Sequence, residues 1–205
     1  MLVEYFKAKS ILDKYGIHSV ESKYVDSAES AVSFSNSRKV ALKVLSDKAL
    51  HKSKEGLVKT SLSGRSEIAS AFNELKAKAD RLKLKPYKII AQAMAENGIE
   101  IIIGGREDAQ FGKVILLGLG GIYVEAFGDV SMRVCPISRY DAMEMVSELK
   151  SRKVITYNGA SLKMLIELLM AVSKMLSDEE IKELDLNPVI MRMQGYDAVD
   201  LRMLK

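Results

Sequence analysis

The residues able to do chemistry gather at four places in the chain. Lys43 stands mid-run in VALKVL (40–45), a compact β-favouring stretch whose alternation sets it on one face with Ala41 and Leu45. Burying an ammonium without a partner is costly. A phosphate oxygen would supply that partner, whereas a lysine on an exposed edge strand would need none. The polar, cationic segment SDKALHKSKEG follows directly and holds His51, Lys52, Ser53, Lys54 and Gly56. Its backbone N–H groups and basic side chains suit folding over phosphates, although a lone loop histidine is more often plain surface.

Gln92, Ala93 and Met94 end one strand-like run, and Glu100 opens the next after a Glu-Asn-Gly turn. A crossing between lobes here would set backbone amides beside a purine and a carboxylate near ribose hydroxyls. The other reading of Glu100 is a solvent-facing strand residue. Gly118, Gly120 and Gly121 form a loop whose amides could approach an anion closely because no Cβ intervenes. Such a cluster is often only a turn, and Ile122, Tyr123 and Val124 behind it break the dinucleotide-binding GxGxxG spacing.

The C-terminal segment ELDLNPV is the most informative. Alternation points Glu183, Asp185 and Asn187 to one side, and a hairpin would bring Asp200 opposite them. Hard oxygen ligands converging in this way suit Mg²⁺, which takes few protein ligands and completes its octahedron with water and phosphate. An acidic strand edge with an Asn-Pro turn would read the same.

The elements that must position these groups are legible as periodicity. Residues 4–15 place Ala8, Ile11, Leu12 and Tyr15 on one helical face before Gly16, and a second helix is expected over 27–36. Ile68, Phe72, Leu75, Ala79 and Leu82 recur at steps of four and three, the clearest helix. Strand-like runs at 88–94, 99–103 and 113–117, separated by turn residues, predict an antiparallel meander, and 130–134 predicts another short strand. Helices are expected over 138–151 and 160–176, then strands over 188–193 and 198–203. Partial segregation of helices and strands predicts two α+β lobes.

Composition narrows the function. The 205 residues are 48% hydrophobic and 28% charged, ordinary for a globular chain. The longest apolar stretches, such as 114–119, fall far short of the roughly 20 residues of a membrane span. A net charge of +4, spread among 27 acids with no basic block, argues against nucleic acid and fits a nucleotide's phosphates. The N-terminus carries charges at helical spacing and has no signal-peptide core, and the single cysteine, Cys135, can form no internal disulfide. The expectation is a cytoplasmic protein with Cys135 a buried structural thiol.

Taken in order, ALKVLSDKALHKSKEG, IEIIIGGREDAQFG, GLGGIYVEAFGDVSMR and ELDLNPV with AVDLR resemble the ATP-grasp β subunit of ADP-forming acyl-CoA (acetyl-CoA) synthetases, relatives of succinyl-CoA synthetase, over about residues 7–203. The resemblance implies an α+β ATP-grasp fold of two lobes, 1–90 and 91–205, with ATP or ADP and Mg²⁺ bound between them. It implies a nucleotide-binding set of Lys43, Lys52, Gln92, Ala93, Met94, Glu100, Gly120 and Gly121, with Gln92 to Met94 as the adenine hinge, and Mg²⁺ at Asn187 and Asp200. His51 matches the histidine proposed in that family to carry phosphate between the partner subunit's phosphohistidine and ADP, and Asp185 an acid that steadies a phosphohistidine.

The reaction so implied is acyl-CoA + ADP + phosphate ⇌ carboxylic acid + ATP + CoA. A CoA-binding α subunit would complete it, in an α2β2 heterotetramer. The chain departs from the family where Glu55 and Gly56 replace a Gly-Gly pair. An ATP-grasp ligase using a free acyl phosphate without phosphohistidine, and a nucleotide-sensing regulatory module, are the competing readings.

Overall fold

The computed structural model describes residues 1–48, 56–120, 128–157 and 159–205. Two compact units emerge: Val20–Met94, and Met1–Ser19 together with Ala95–Lys205. The chain therefore crosses between units twice, and the first 19 residues belong with the C-terminal part. A single boundary at 90/91 does not describe this arrangement, because α1 (Tyr5–Lys14) buries Ala8 and Leu12 in the core of the larger unit.

The smaller unit is a four-stranded antiparallel sheet, β1 (Ser22–Val25), β4 (Lys88–Ala93), β2 (Val40–Leu45) and β3 (Val58–Leu62) in that spatial order. Helix α2 (Ala28–Ser35) starts at a reciprocal capping box of Ser27 and Ser30 and ends at Asn36 in the left-handed region. Helix α3 (Arg65–Arg81) places Ile68, Phe72, Leu75 and Ala79 on the face foreseen from their spacing. They join Val40, Leu42, Val44, Ile89 and Ala91 in one apolar cluster. Each of the larger of these side chains contributes on the order of 1.5–3 kcal/mol, and the alanines less. Strands β1 and β3 escape notice in the sequence because SKYV and VKTSL are short, polar-rich runs lying between louder signals.

The larger unit has a six-stranded antiparallel sheet ordered β10 (Leu201–Leu204), β8 (Glu183–Met191), β5 (Ile99–Asp108), β6 (Gly112–Leu119) and β7 (Val130–Val134), with β9 (Tyr196–Ala198) also on β8. The meander is β5–β6–β7. The 88–94 run was expected to join it, but β4 pairs with β1 and β2 in the other sheet. Helices α4 (Arg139–Glu148), the short α5 (Arg152–Tyr157) and α6 (Leu162–Asp178) follow. Leu165, Leu169, Val172 and Leu176 of α6 share a core with Ile101, Ile103, Ile115, Leu117, Leu184 and Leu186. That fixes which sheet face is covered. Among the described residues no helix is long and apolar enough to cross a membrane.

Candidate functional site

The larger unit's sheet has a second face, set by the same alternation. Pairing places Asp185 beside Gly104 of β5 and Arg202 of β10, and Glu100 beside Ile190 of β8. Between these rows β8 places two residues, Asn187 and Pro188, where β5 has one, Ile102. The extra residue is a bulge at Asn187–Pro188, a device that re-aims side chains next to active sites. Asn187 is exposed there, and its amide donates to Asp200 O at 3.3 Å, while Val199 N donates to Pro188 O at 3.0 Å. Asp185 and Asn187 of β8 and Asp200, just ahead of β10, are thus neighbours.

Their electrostatics follow from that crowding. Burial, and next the nearby Asp200 charge, push the Asp185 carboxyl above the usual range, with Arg202 opposing. Arg202 was not singled out in the sequence; it faces Asp185 and pairs with Glu183 at 2.7 Å. The two-residue step from Asp200 to Arg202 along a strand was the available signal. A divalent cation at this cluster would relieve the repulsion between carboxylates. Among the described residues no three His, Cys, Asp or Glu side chains are grouped to enclose an ion. The oxygen donors of Asn187 and Asp200, with Asp185 two residues before Asn187, are of the hard type that Mg²⁺ takes alongside water and phosphate.

Gly120 has a role in the sheet. Its N–H donates to Glu100 O at 2.7 Å, and a Cβ there would lie 2.9 Å from the Glu100 carbonyl carbon and Cβ. Glycine is required by this close approach, and the Gly120 amide is already committed to the backbone. Glu100 itself is exposed on the open face. The glycine run was read as a loop offering free amides. For Gly120 the structure instead gives a strand-end contact, and Gly121 lies outside the described residues.

In the smaller unit Lys43 sits on β2 opposite Val58 of β3 and Ile90 of β4. β2 is an interior strand and Lys43 is 5% exposed, so the exposed edge-strand reading falls. Gln92, 1% exposed, lies opposite Ala41 and hence diagonal to Lys43 on the same face. This face is the reverse of the one that packs on α2 and α3. The Ala93 and Met94 amides donate to Glu21 O at 2.9 Å and Lys39 O at 3.3 Å, and the unit boundary falls directly after Met94.

His51 and Lys52 lie outside the described residues. Both flanks of their segment are fixed. The buried Ser46 hydroxyl donates to Leu84 O at 2.7 Å, and Leu57, fully buried, accepts from Val44 N at 2.9 Å. Cys135 is half-buried, and burial pushes its thiol above the ordinary value, away from the nucleophilic thiolate.

An open sheet face carrying Glu100, Asp185, Asn187 and Asp200 in one unit, with a smaller antiparallel sheet that buries a lysine in the other, marks the ATP-grasp class of α+β protein. The ATP-grasp domain profile matches residues 2–204, and the chain belongs to that family. The β subunit of ADP-forming acetate–CoA ligase I from Pyrococcus furiosus is 35% identical over 207 residues, 97% of this chain and 89% of that one. The longer acetate–CoA ligase I of Archaeoglobus fulgidus is 37% identical over 204 residues, 95% of this chain but 30% of its own length. Solved structures of acetyl-coenzyme A synthetase 1 from Ca. Korarchaeum cryptofilum superpose closely. One, with coenzyme A and Ca-AMPCP, has a TM-score of 0.91 at 35% identity and covers 100% of this chain and 92% of that one. Another, with coenzyme A and Mg-AMPPCP, has its phosphohistidine segment pointing towards the nucleotide-binding site; its TM-score is 0.84 at 33% identity, covering 99% and 92%.

Proposed function

We propose that this chain is the nucleotide-binding subunit of an ADP-forming acid–CoA ligase that moves phosphate between a phosphohistidine and ADP. The observation that carries the reading is the convergence of Asp185, Asn187 and Asp200 at the β8 bulge, on the open face that also presents Glu100. Asn187 and Asp200 hold Mg²⁺, which when bound neutralises phosphate charge and orients the transferring group. Lys43 contacts a nucleotide phosphate, and its burial on an interior strand strengthens that charge-assisted bond. Glu100 binds the nucleotide, with Gly120 holding its backbone in place, Gln92 to Met94 form the adenine hinge, and Lys52 and Gly121 complete the nucleotide-binding set.

His51 takes the phosphoryl group from the partner's phosphohistidine and passes it to ADP: the N–P bond breaks as the bond to the terminal ADP oxygen forms. Imidazole is a good nucleophile near neutral pH, and the phosphoramidate retains the energy of an acyl phosphate. Asp185 steadies the phosphorylated ring. The CoA and acyl sites belong to an α subunit, in an α2β2 assembly working in the cytoplasm, where both nucleotides are available.

The test is reconstitution with a CoA-binding α subunit, following ATP formation from acetyl-CoA, ADP and phosphate. Turnover that requires both chains and Mg²⁺ supports the reading. Mg-nucleotide binding with no turnover in the complete assembly contradicts it and favours a regulatory module.

A further inference from the structure

We propose that Arg192 is a positioning residue for nucleotide binding, holding a chain crossing of the larger unit against the strands that carry Asn187 and Asp200. The inference rests on the reading above for the roles of Glu100, Asn187 and Asp200.

Both crossings are rooted on one hairpin. The chain leaves the larger unit after Ser19 and re-enters at Ala95. On the way out, Ser19 bridges in parallel to Ala198 of β9, and Ala198 N donates to His18 O at 3.0 Å. On the way back, Ile99 pairs with Met191 of β8. Gly98 approaches so closely that a Cβ there would lie 2.4 Å from Met191 O and 3.0 Å from Arg192 Cγ.

Arg192 opens the turn joining these two strands and fastens it in three directions. Its N–H donates to Gly195 O at 3.0 Å, closing the turn, and its carbonyl accepts from Ser161 N at 2.9 Å, at the N-cap of α6. The guanidinium Nη2 lies 2.8 Å from Asp197 Oδ2 on β9, and Nε lies 3.8 Å from Glu96 Oε2 on the returning crossing.

The side chain is only 19% exposed. Nη1 is buried without a hydrogen-bond partner among the described residues. An incompletely satisfied buried guanidinium is a poor device for stability alone. Its planar fork, however, holds Asp197 at hydrogen-bond distance through Nη2 while Nε stays in ion-pair range of the exposed Glu96 carboxylate, an arrangement that a lysine's single ammonium cannot reproduce.

The consequence is geometric. Asp197 pairs with Ile190, and Ile190 pairs with Glu100. Asp200 follows Asp197 by three residues, and Asn187 precedes Ile190 by three. Arg192 therefore sets the row of the sheet from which the nucleotide and cation groups are hung. A misplacement of about 1 Å in such groups can cost on the order of 100-fold in rate.

The test uses the complete synthetase and its Arg192→Met, Arg192→Lys and Asp197→Asn variants, with Mg-ADP dissociation constants from calorimetry, KM for ADP and for CoA, and thermal midpoints. Arg192→Met is expected to weaken Mg-ADP about tenfold while KM for CoA stays within about twofold. Arg192→Lys recovers part of the loss, and Asp197→Asn shares its direction. Unchanged Mg-ADP affinity in folded Arg192→Met, or losses in ADP and CoA parameters that merely follow the thermal midpoint across all three variants, overturns the proposal. Should one variant fail to fold, the other two decide. Absence of Mg-ADP binding in the wild type would instead remove the functional reading, and this inference with it.

Discussion

The Asn187 amide donates to the Asp200 carbonyl oxygen at 3.3 Å, at the point where β8 carries one residue more than β5 opposite it. The two groups assigned to the cation are thereby tied through the backbone before any ion arrives. Loss of one side-chain ligand should then weaken the metal-nucleotide complex without loosening the sheet. Asp200→Asn is predicted to raise the dissociation constant for Mg-ADP at least about tenfold, ~1.4 kcal/mol, with the loss partly recovered at high Mg²⁺. Calorimetry at two Mg²⁺ concentrations, with a thermal melt as control, checks it.

Lys43 gives a prediction about phosphate. Its charge-assisted bond should be worth about 1.5–3 kcal/mol, so Lys43→Met is expected to weaken ATP binding roughly 10- to 100-fold. Without nucleotide the same variant should change the thermal midpoint far less than it changes ATP affinity, because the phosphate contact is made only in the complex. Nucleotide titration and melting of the free chain separate the two effects.

Gly120 tests the sheet. Inserting a Cβ against the Glu100 backbone should overpack the β5–β6 edge at a cost of about 1–3 kcal/mol. Gly120→Ala is therefore predicted to lower the thermal midpoint by about 2–10 °C, with nucleotide affinity falling because Glu100 shifts. A stable variant that loses affinity alone would point to a direct ligand contact instead.

Glu179 gives the acid limb of stability. Hydrogen bonds first from Lys205 and then from Lys14, at 2.8 and 2.9 Å, lower its carboxyl from 4.5 to about 2. A carboxyl lowered in the fold contributes stability above its unfolded pKa and loses it as pH falls from about 4.5 towards 2. Glu179→Gln should thus lower the midpoint by about 2 °C near pH 7, and the gap from wild type should close by about pH 2. Parallel melts across that range are the measurement.

How far the sequence could be read depended on which constraints are local. Helix α3 and its buried face, and the existence of helix α6, were legible because apolar spacing is written into consecutive turns. The pairing of Asp185 with the Asp200–Arg202 segment followed from period-two alternation and a hairpin turn. Lys43 could be placed on a strand face, but its interior position depends on β3, a run too polar to announce itself. The placement of β4 was lost for a similar reason: β1, its neighbour, is four residues long, and nothing local says that 88–93 pairs backwards rather than onwards. Gly120 was read for its freedom when its close contact with Glu100 is a tertiary fact. Arg192 gave no signal, since its significance arises only when two distant crossings meet at one turn.

The central claim, phosphate passed through His51 to ADP, is tested most directly by incubating the assembled synthetase with Mg²⁺ and γ-³²P-ATP and locating acid-labile, base-stable label on this chain. The account predicts label on the wild type and none on His51→Ala, with nucleotide binding retained in both. Label that persists on this chain in His51→Ala, or an unlabelled wild-type chain in an assembly that still turns over, would contradict it.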